Sequence, residues 1–252
     1  MSEQKTLVLA CGALAREIVD AIGLNGWTHL QVRCLPAIWH NTPQRIPEAL
    51  REKIRKARAE GYRDILVAYG DCGTGGQLDA MLAEEGVERI AGDHCYAFYA
   101  GLDSFAELQE QDPATFYLTD YLARHFERLV VRGLGLDRHP DMLGLCFGNY
   151  NRLVYLAQTH DPALQHRAKA AAERLGLAYE YRYCGLGELA DFLQQAARQE
   201  GLSHGQPDDP LLAGYSSPGH REGGAAQREG RPLEPLRDGH RSRCHESRIA
   251  RH

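Results

Sequence analysis

"TLVLACGALAREI", Thr6 to Ile18, carries an apolar run straight into a cysteine and then changes period. Two readings compete: a lipoprotein-type cleavage site, or a buried strand that delivers Cys11 to a site. A secretory signal needs a basic segment and an apolar core of about 7–15 residues ahead of its small-residue site. Here only Lys5 precedes a much shorter run. After Cys11, Leu14, Ile18, Ala21 and Ile22 recur at helical spacing with Arg16, Glu17 and Asp20 opposite them. The stretch therefore predicts a strand followed at once by an amphipathic helix.

The same alternation continues outward. "LQVRCL", "DILVAYG" and "VERIAG" predict further strands, with helical patterns near Gly12 to Leu24, Pro43 to Glu60 and Gly75 to Glu85. "TFYLT", "RLVYLAQ" and "LAYEYRY" repeat the theme, each followed by a helical stretch: "DYLARHFERLV", "DPALQHRAKAAAERLG" and "GELADFLQQAARQ". Strands alternating with helices imply βαβ units. The expected fold is α/β, Rossmann-like or flavodoxin-like, with a mainly parallel sheet and helices on both faces. Gly133 to Tyr150 has no clear period and is a candidate joint between two halves, although one compact unit over residues 1–200 is favoured. From Gly201 the chain turns rich in Gly, Pro, Arg and His and lacks lysine. Such a composition cannot bury enough apolar area to offset its ordering entropy, so 201–252 is expected to be a disordered tail. It also resembles translation in an unintended frame.

With 43% hydrophobic residues in 252, the composition is globular. No apolar run approaches the roughly 20 residues that span a bilayer. A formal charge of −5 and the lack of a Lys/Arg block in the first 200 residues argue against nucleic acid as partner. A small-molecule substrate or cofactor, or a protein, is expected instead. Seven cysteines without a secretory signal point to reduced thiols in the cytoplasm.

Cys11, Cys34, Cys72 and Cys95 each end or closely follow a predicted strand, which places them on the edge where parallel sheets bind ligands. "YGDCGTGG", Tyr69 to Gly76, sets Cys72 at a glycine-rich strand-to-helix turn, where backbone approaches closely and amides depress a thiol's pKa. "GDHCY" puts Asp93 and His94 beside Cys95, and His40 follows Cys34. Three thiolates with an imidazole or a fourth thiolate fit zinc, and three or four thiolates fit an iron–sulfur cluster. Cys11, Cys72, Cys95 and His40 are the expected metal ligands, with His94 and Cys34 as alternatives in the fourth place. Inert packing competes, since free cysteine is a small, often buried residue. So does a nucleophile: Cys72 as thiolate, His94 or His40 as base, Asp71 or Asp93 as orienter, and the amides of Gly73, Gly75 and Gly76 holding an oxyanion. A variant pairs two rim cysteines as acid and base. Cys146 and Cys184 read as packing. Arg138, in "LGLDRHPD", is a candidate carboxylate or phosphate clamp, against a plainer role among exposed charges at a helix start. Asp120 reads more simply as a helix cap.

Taken together, "ACGALAREI", "CLPAIWHNTPQRI", "YGDCGTGG", "GDHCYAFYAG", "FYLTDYLARHF" and "GLGLDRHPDMLGLCFGNYNRLVYLAQ" resemble the domain-of-unknown-function family 1638 of bacterial and archaeal proteins. The resemblance covers nearly all of the first 195 or so residues. It implies that Cys11, Cys72 and Cys95 belong together as a set and that His40 matches the histidine of the family's LHNxP motif. Trp39 stands where the family commonly has Leu. The resemblance also implies an association with corrinoid-dependent methyl-transfer systems, hence an enzyme of one-carbon metabolism or an accessory to it.

Overall fold

Every residue from Thr6 to Cys11 is buried, and the six form β1 (Thr6–Cys11), the middle strand of a three-stranded parallel sheet. Its neighbours are β2 (Leu30–Leu35) and β3 (Asp64–Ala68), in the order β2-β1-β3. Ala10 is in register with Cys34 on one side and Ala68 on the other. A strand covered on both faces needs no polar alternation, which is why its sequence is one unbroken apolar run. In this computed structural model residues 5–198 are described. The expected disordered tail, its boundary near residue 200 and Cys244 lie outside the described residues.

A second parallel sheet, ordered β4-β5-β6, follows the same logic: β4 (Thr115–Thr119), β5 (Arg152–Ala157) and β6 (Ala178–Tyr183). Leu153 to Ala157 have no exposed surface, as befits its middle strand. The edge strand β6, "AYEYRY", is half-buried or exposed and carries Glu180 and Arg182, charges that discourage pairing with another chain.

Around the first sheet lie α1 (Ala15–Asn25), α2 (Ile46–Ala59) and α3 (Gln77–Glu85). Then come α4 (Ala97–Ala100), α5 (Leu102–Gln111), α6 (Asp120–Phe126) with a π-helical turn over Glu127–Arg132, α7 (Leu143–Phe147), α8 (Pro162–Leu175) and α9 (Glu188–Arg198). Local chemistry sets several ends. Asp161 caps α8 by accepting from the N–H groups of Ala163 and Leu164 with Pro162 first in the helix, and Gly176 closes it in the left-handed region.

The parallel α/β architecture is thus present, divided into two sheets of three strands. "VERIAG" contributes only one bridge, Val67 to Arg89, beside β3. Chain passes from the first sheet to the second through α4 and α5. Gly133 to Tyr150 lies instead within the second half, between the π-helical turn and β5. Helices are exchanged between the halves. Leu189 and Leu193 of α9 complete the core of the first sheet, while Ala97 and Phe105 pack against Val154 and Leu156 of β5. Gly187 lets this crossing close, because a Cβ there would lie 2.4 Å from the carbonyl oxygens of Phe98 and Tyr99. The Leu102 N–H donates to Glu188 at 2.8 Å, and Arg124 of α6 reaches Glu17 of α1 at 3.3 Å. Among the described residues no helix is long and apolar enough to cross a membrane.

Candidate functional site

Parallel strands release their loops on one edge, and here four such segments converge. β1 ends on Cys11, and the short 3-10 turn after β2 (Ala37–Asn41) carries His40. Tyr69 to Cys72 follow β3, and the segment beyond the Val67–Arg89 bridge brings in His94 and Cys95.

The last two segments touch along their backbones. A Cβ on Gly70 would lie 2.8 Å from the His94 carbonyl carbon and 2.9 Å from the Cys95 nitrogen, so only glycine fits. The Asp71 N–H donates to the Gly92 carbonyl at 3.0 Å and the Cys72 N–H to that of Asp93 at 2.6 Å. Cys72 itself has φ 50°, in the left-handed region that β-carbon-bearing residues seldom occupy. Arg89 braces the junction: it donates to the carbonyls of Ile90 (2.9 Å) and Gly92 (3.0 Å) while paired with Asp79 at 2.8 Å. Read as sequence, Arg89 is an ordinary charged residue, and nothing local signals this role.

The result is a cluster of thiols. Cys72 and Cys95 stand Sγ to Sγ at 3.5 Å, the Gly70 N–H donates to Cys95 Sγ at 3.4 Å, and Cys11 also hydrogen-bonds with Cys95. All three are buried, at 4%, 5% and 7% exposure, so the cluster is shielded from bulk water. Hydrogen bonding from Cys95, foremost, then from His40 and His94, brings the Cys72 thiol well below its ordinary pKa despite burial. Cys95, hydrogen-bonded to Cys11 and Cys72 and buried, lies well above. Burial works against a charged His40, yet the Cys72 hydrogen bond and charge raise its pKa on balance. The surroundings therefore favour the thiolate at Cys72 and the protonated form of His40, and disfavour ionisation of Cys95. The rings of His40 and His94 are 6.4 Å apart.

As placed, the thiols meet through Cys95. Among the described residues no group of three or more His, Cys, Asp or Glu is disposed to hold a metal ion. The donor set itself, three soft sulfurs and an imidazole, suits zinc or an iron–sulfur cluster.

Other candidates are placed elsewhere. Asp71 accepts from the amides of Gly75 and Gly76 at 3.1 Å each and from the Thr74 hydroxyl, so its carboxylate ties the turn together. The Gly73 amide also serves Asp71. These glycine donors are accordingly spent within the loop, which leaves no cradle for a substrate oxyanion. Asp71 touches neither His40 nor His94. Arg138 is exposed, 3.9 Å from Asp137, and lines none of the three cavities described. Cys34 is half-buried, its thiol pushed up by burial, and it does not line the pocket. Cys146 packs in the second core, and Cys184 packs on the first.

Above the thiols opens a cavity of about 350 Å³ between the two halves, reached by Cys11, His40, Cys72 and Cys95 from one side. Tyr96, Tyr117, Tyr121 and Tyr150 contribute from the other parts of its wall. His94 stacks on Tyr96 with centroids 5.0 Å apart, and Tyr96 on Tyr117 at 6.2 Å. No curated protein and no solved structure matches this chain. The family described as Protein of unknown function (DUF1638) matches residues 34–193, a range that holds His40, Cys72, Cys95 and the aromatic wall while Cys11 precedes it. The chain belongs to that family.

Proposed function

We propose that the protein binds a soft metal centre, zinc or an iron–sulfur cluster, through Cys11, Cys72, Cys95 and His40, and uses it on a small molecule held in the adjoining pocket. One observation carries this reading: three buried thiols and an imidazole come from four separate strand-end segments to one pocket floor. A single nucleophile would need only one of the sulfurs. The N–H of Gly70 aimed at Cys95 Sγ suits a thiolate ligand, which needs donors to balance its charge. His40 is preferred to Cys34 in the fourth place because it faces the pocket. A zinc held by the three thiolates alone would keep a fourth position for an oxygen or sulfur of the bound molecule and supply Lewis acidity there, whereas His40 in that position would close the site. The methyl-transfer setting implied by the family resemblance is consistent with soft-metal chemistry.

The test is elemental analysis with a UV–visible spectrum of anaerobically purified full-length protein, beside Cys72→Ser and Cys95→Ser. Stoichiometric zinc, or iron with sulfide, that falls in both variants is the expected result. Metal-free protein from all three preparations would sink the reading.

A second reading is favoured by the lowered pKa of Cys72 beside His40: a metal-free cysteine nucleophile acting on the same pocket's ligand. It predicts one thiol that iodoacetamide alkylates fast well below pH 8, slowed by His40→Gln because the imidazolium no longer stabilises the thiolate. Equal, slow labelling of every cysteine in metal-free protein would dispose of it.

A further inference from the structure

Cys72 and Cys95 meet Sγ to Sγ at 3.5 Å. A disulfide joins its sulfurs at about 2.05 Å, so the gap to close is about 1.5 Å, within reach of side-chain rotation when the two backbones already lie together. Here the loops are locked to each other. The N–H groups of Asp71 and Cys72 donate to the carbonyls of Gly92 and Asp93, and a Cβ on Gly70 would lie 2.9 Å from the Cys95 nitrogen. Arg89 holds the same stretch through the carbonyls of Ile90 and Gly92. Cys72 is kept at φ 50°, a conformation that persists where its surroundings over-determine it. The fold thus presents the two sulfurs to each other at a high effective concentration, the condition under which one thiol resolves a mixed disulfide formed on the other.

The cavity on which both cysteines open narrows the exchange partner. No Arg or Lys of the described residues lines it, its one carboxylate, Asp112, is paired with Arg152 at 3.2 Å, and His40 is engaged with Cys72. A charged guest would be buried there without a counter-charge. A cavity of about 150 Å³ holds benzene, so the 350 Å³ present here suits a small uncharged molecule.

We propose that Cys72 and Cys95 are a reversible dithiol–disulfide pair that reduces a small, uncharged disulfide, RSSR, admitted to this cavity. One of the two sulfurs, as thiolate, attacks a sulfur of RSSR: an Sγ–S bond forms, the S–S bond of the guest breaks, and the first RS⁻ leaves and takes up the proton that the thiol has shed. The other cysteine attacks the mixed disulfide at Sγ, which forms the Cys72–Cys95 bond, breaks the bond to the guest and releases the second RS⁻ to the second proton. Two protein thiols are oxidised and one disulfide is reduced to two thiols, so no further oxidant is required. The activity goes beyond the metal reading and needs no metal; because it uses two of the four proposed ligands, the disulfide form and a metal centre exclude each other.

The experiment equilibrates the full-length protein anaerobically in mixtures of 2-mercaptoethanol and 2-hydroxyethyl disulfide, both native and unfolded in urea, with metal content measured before and after chelation. Samples are quenched in acid, free thiols are blocked, and disulfides are located by peptide mass mapping. The expected product is a Cys72–Cys95 disulfide that reverts as thiol is raised. Its half-oxidation ratio, [RSH]²/[RSSR], should be at least about tenfold higher in the chelated native protein than in the unfolded one. Relative to the unfolded chain, 2-hydroxyethyl disulfide should oxidise the native pair at least about tenfold faster than the charged dithiodiglycolate or cystamine. In Cys95→Ser, which lacks the resolving sulfur, oxidation should stop at a mercaptoethanol adduct on Cys72. No native disulfide, a disulfide to Cys11 or another cysteine instead, equal ratios in native and unfolded protein, a charged disulfide as the fastest oxidant, or any other product at Cys72 in Cys95→Ser would overturn the proposal. A protein that carries stoichiometric metal and, once chelated, never forms the pair overturns it and leaves the metal reading standing. A protein that is metal-free as purified and closes the pair at the stated ratio does the reverse.

Discussion

Asp71 and Cys72 are neighbours with opposite assignments: the carboxylate is spent holding its own loop, and the thiol is delivered to the pocket. The contact that makes this delivery possible is the close approach at Gly70. Gly70→Ala is expected to separate the two loops, cost about 1–3 kcal/mol in denaturant unfolding and disturb Cys95 first. A full-stability Gly70→Ala protein with unchanged thiol reactivity would contradict the packing described. Glu17 supplies a pH test. Burial raises its pKa although Arg124 opposes, so the fold favours the protonated acid. Its contribution to stability is then present below the unfolded-state value and lost as pH rises through the folded one. The stability of the wild type relative to Glu17→Gln should accordingly increase from pH 7 to about pH 4 in urea titrations. At this scale the placement of Cys11, Cys72, Cys95 and His40 was legible in the sequence, because strand and loop alternation alone decides the edge on which a residue emerges. The use of the Gly73 to Gly76 amides was not legible, since an amide looks the same whether it serves a ligand or the preceding Asp.

Among the elements, the C-terminal ends of β4 and β5 are pinned by Asp120, which is fully buried. It accepts from the Tyr155 hydroxyl at 2.6 Å, the Thr159 hydroxyl at 2.6 Å and the Gln158 N–H at 3.1 Å, while its own N–H donates to the Gln158 side chain at 2.8 Å. Asp120→Asn replaces one acceptor oxygen by a donor and should cost about 1.5–3 kcal/mol, measured by urea unfolding. A loss within experimental error would mean that these bonds carry no net stabilisation. Sequence pattern reads Asp120 as a cap, yet the adjoining Thr119 accepts from the Leu122 N–H at 3.4 Å, leaving Asp120 to join strands 35 residues apart. The positions of β1, β3, β4 and β5 were legible from short apolar runs, β2 because its apolar residues alternate with Gln31 and Arg33, and β6 because its aromatic residues alternate with charges. "VERIAG" was misleading, for Glu88 and Arg89 interrupt a run too short to sustain a ladder. α4 and α5 went unread because Gly101, in a non-helical conformation, cuts their shared pattern in two.

On the scale of the whole molecule, the exchanged helices make each half depend on residues of the other. Leu189→Ala should cost about 2–5 kcal/mol, although Leu189 is distant in sequence from the core that it fills. Because Ala97 and Phe105 reciprocate on β5, unfolding should be a single transition, with tryptophan fluorescence from the first half and far-UV circular dichroism shifting together. Two separated transitions would show independent halves. The division into two sheets was not legible, since strand pairing is a nonlocal choice and either sheet's strands carry the same local pattern. The α9 contact also has a meaning in time. The core that encloses Cys11, Cys72 and Cys95 includes Leu186, Leu189 and Leu193, so a chain made from its N-terminus exposes all three thiols long before the residues that finish their enclosure exist. Oxidation, alkylation or loading of those sulfurs should therefore be easiest on the nascent chain, and docking of α9 marks the end of that interval.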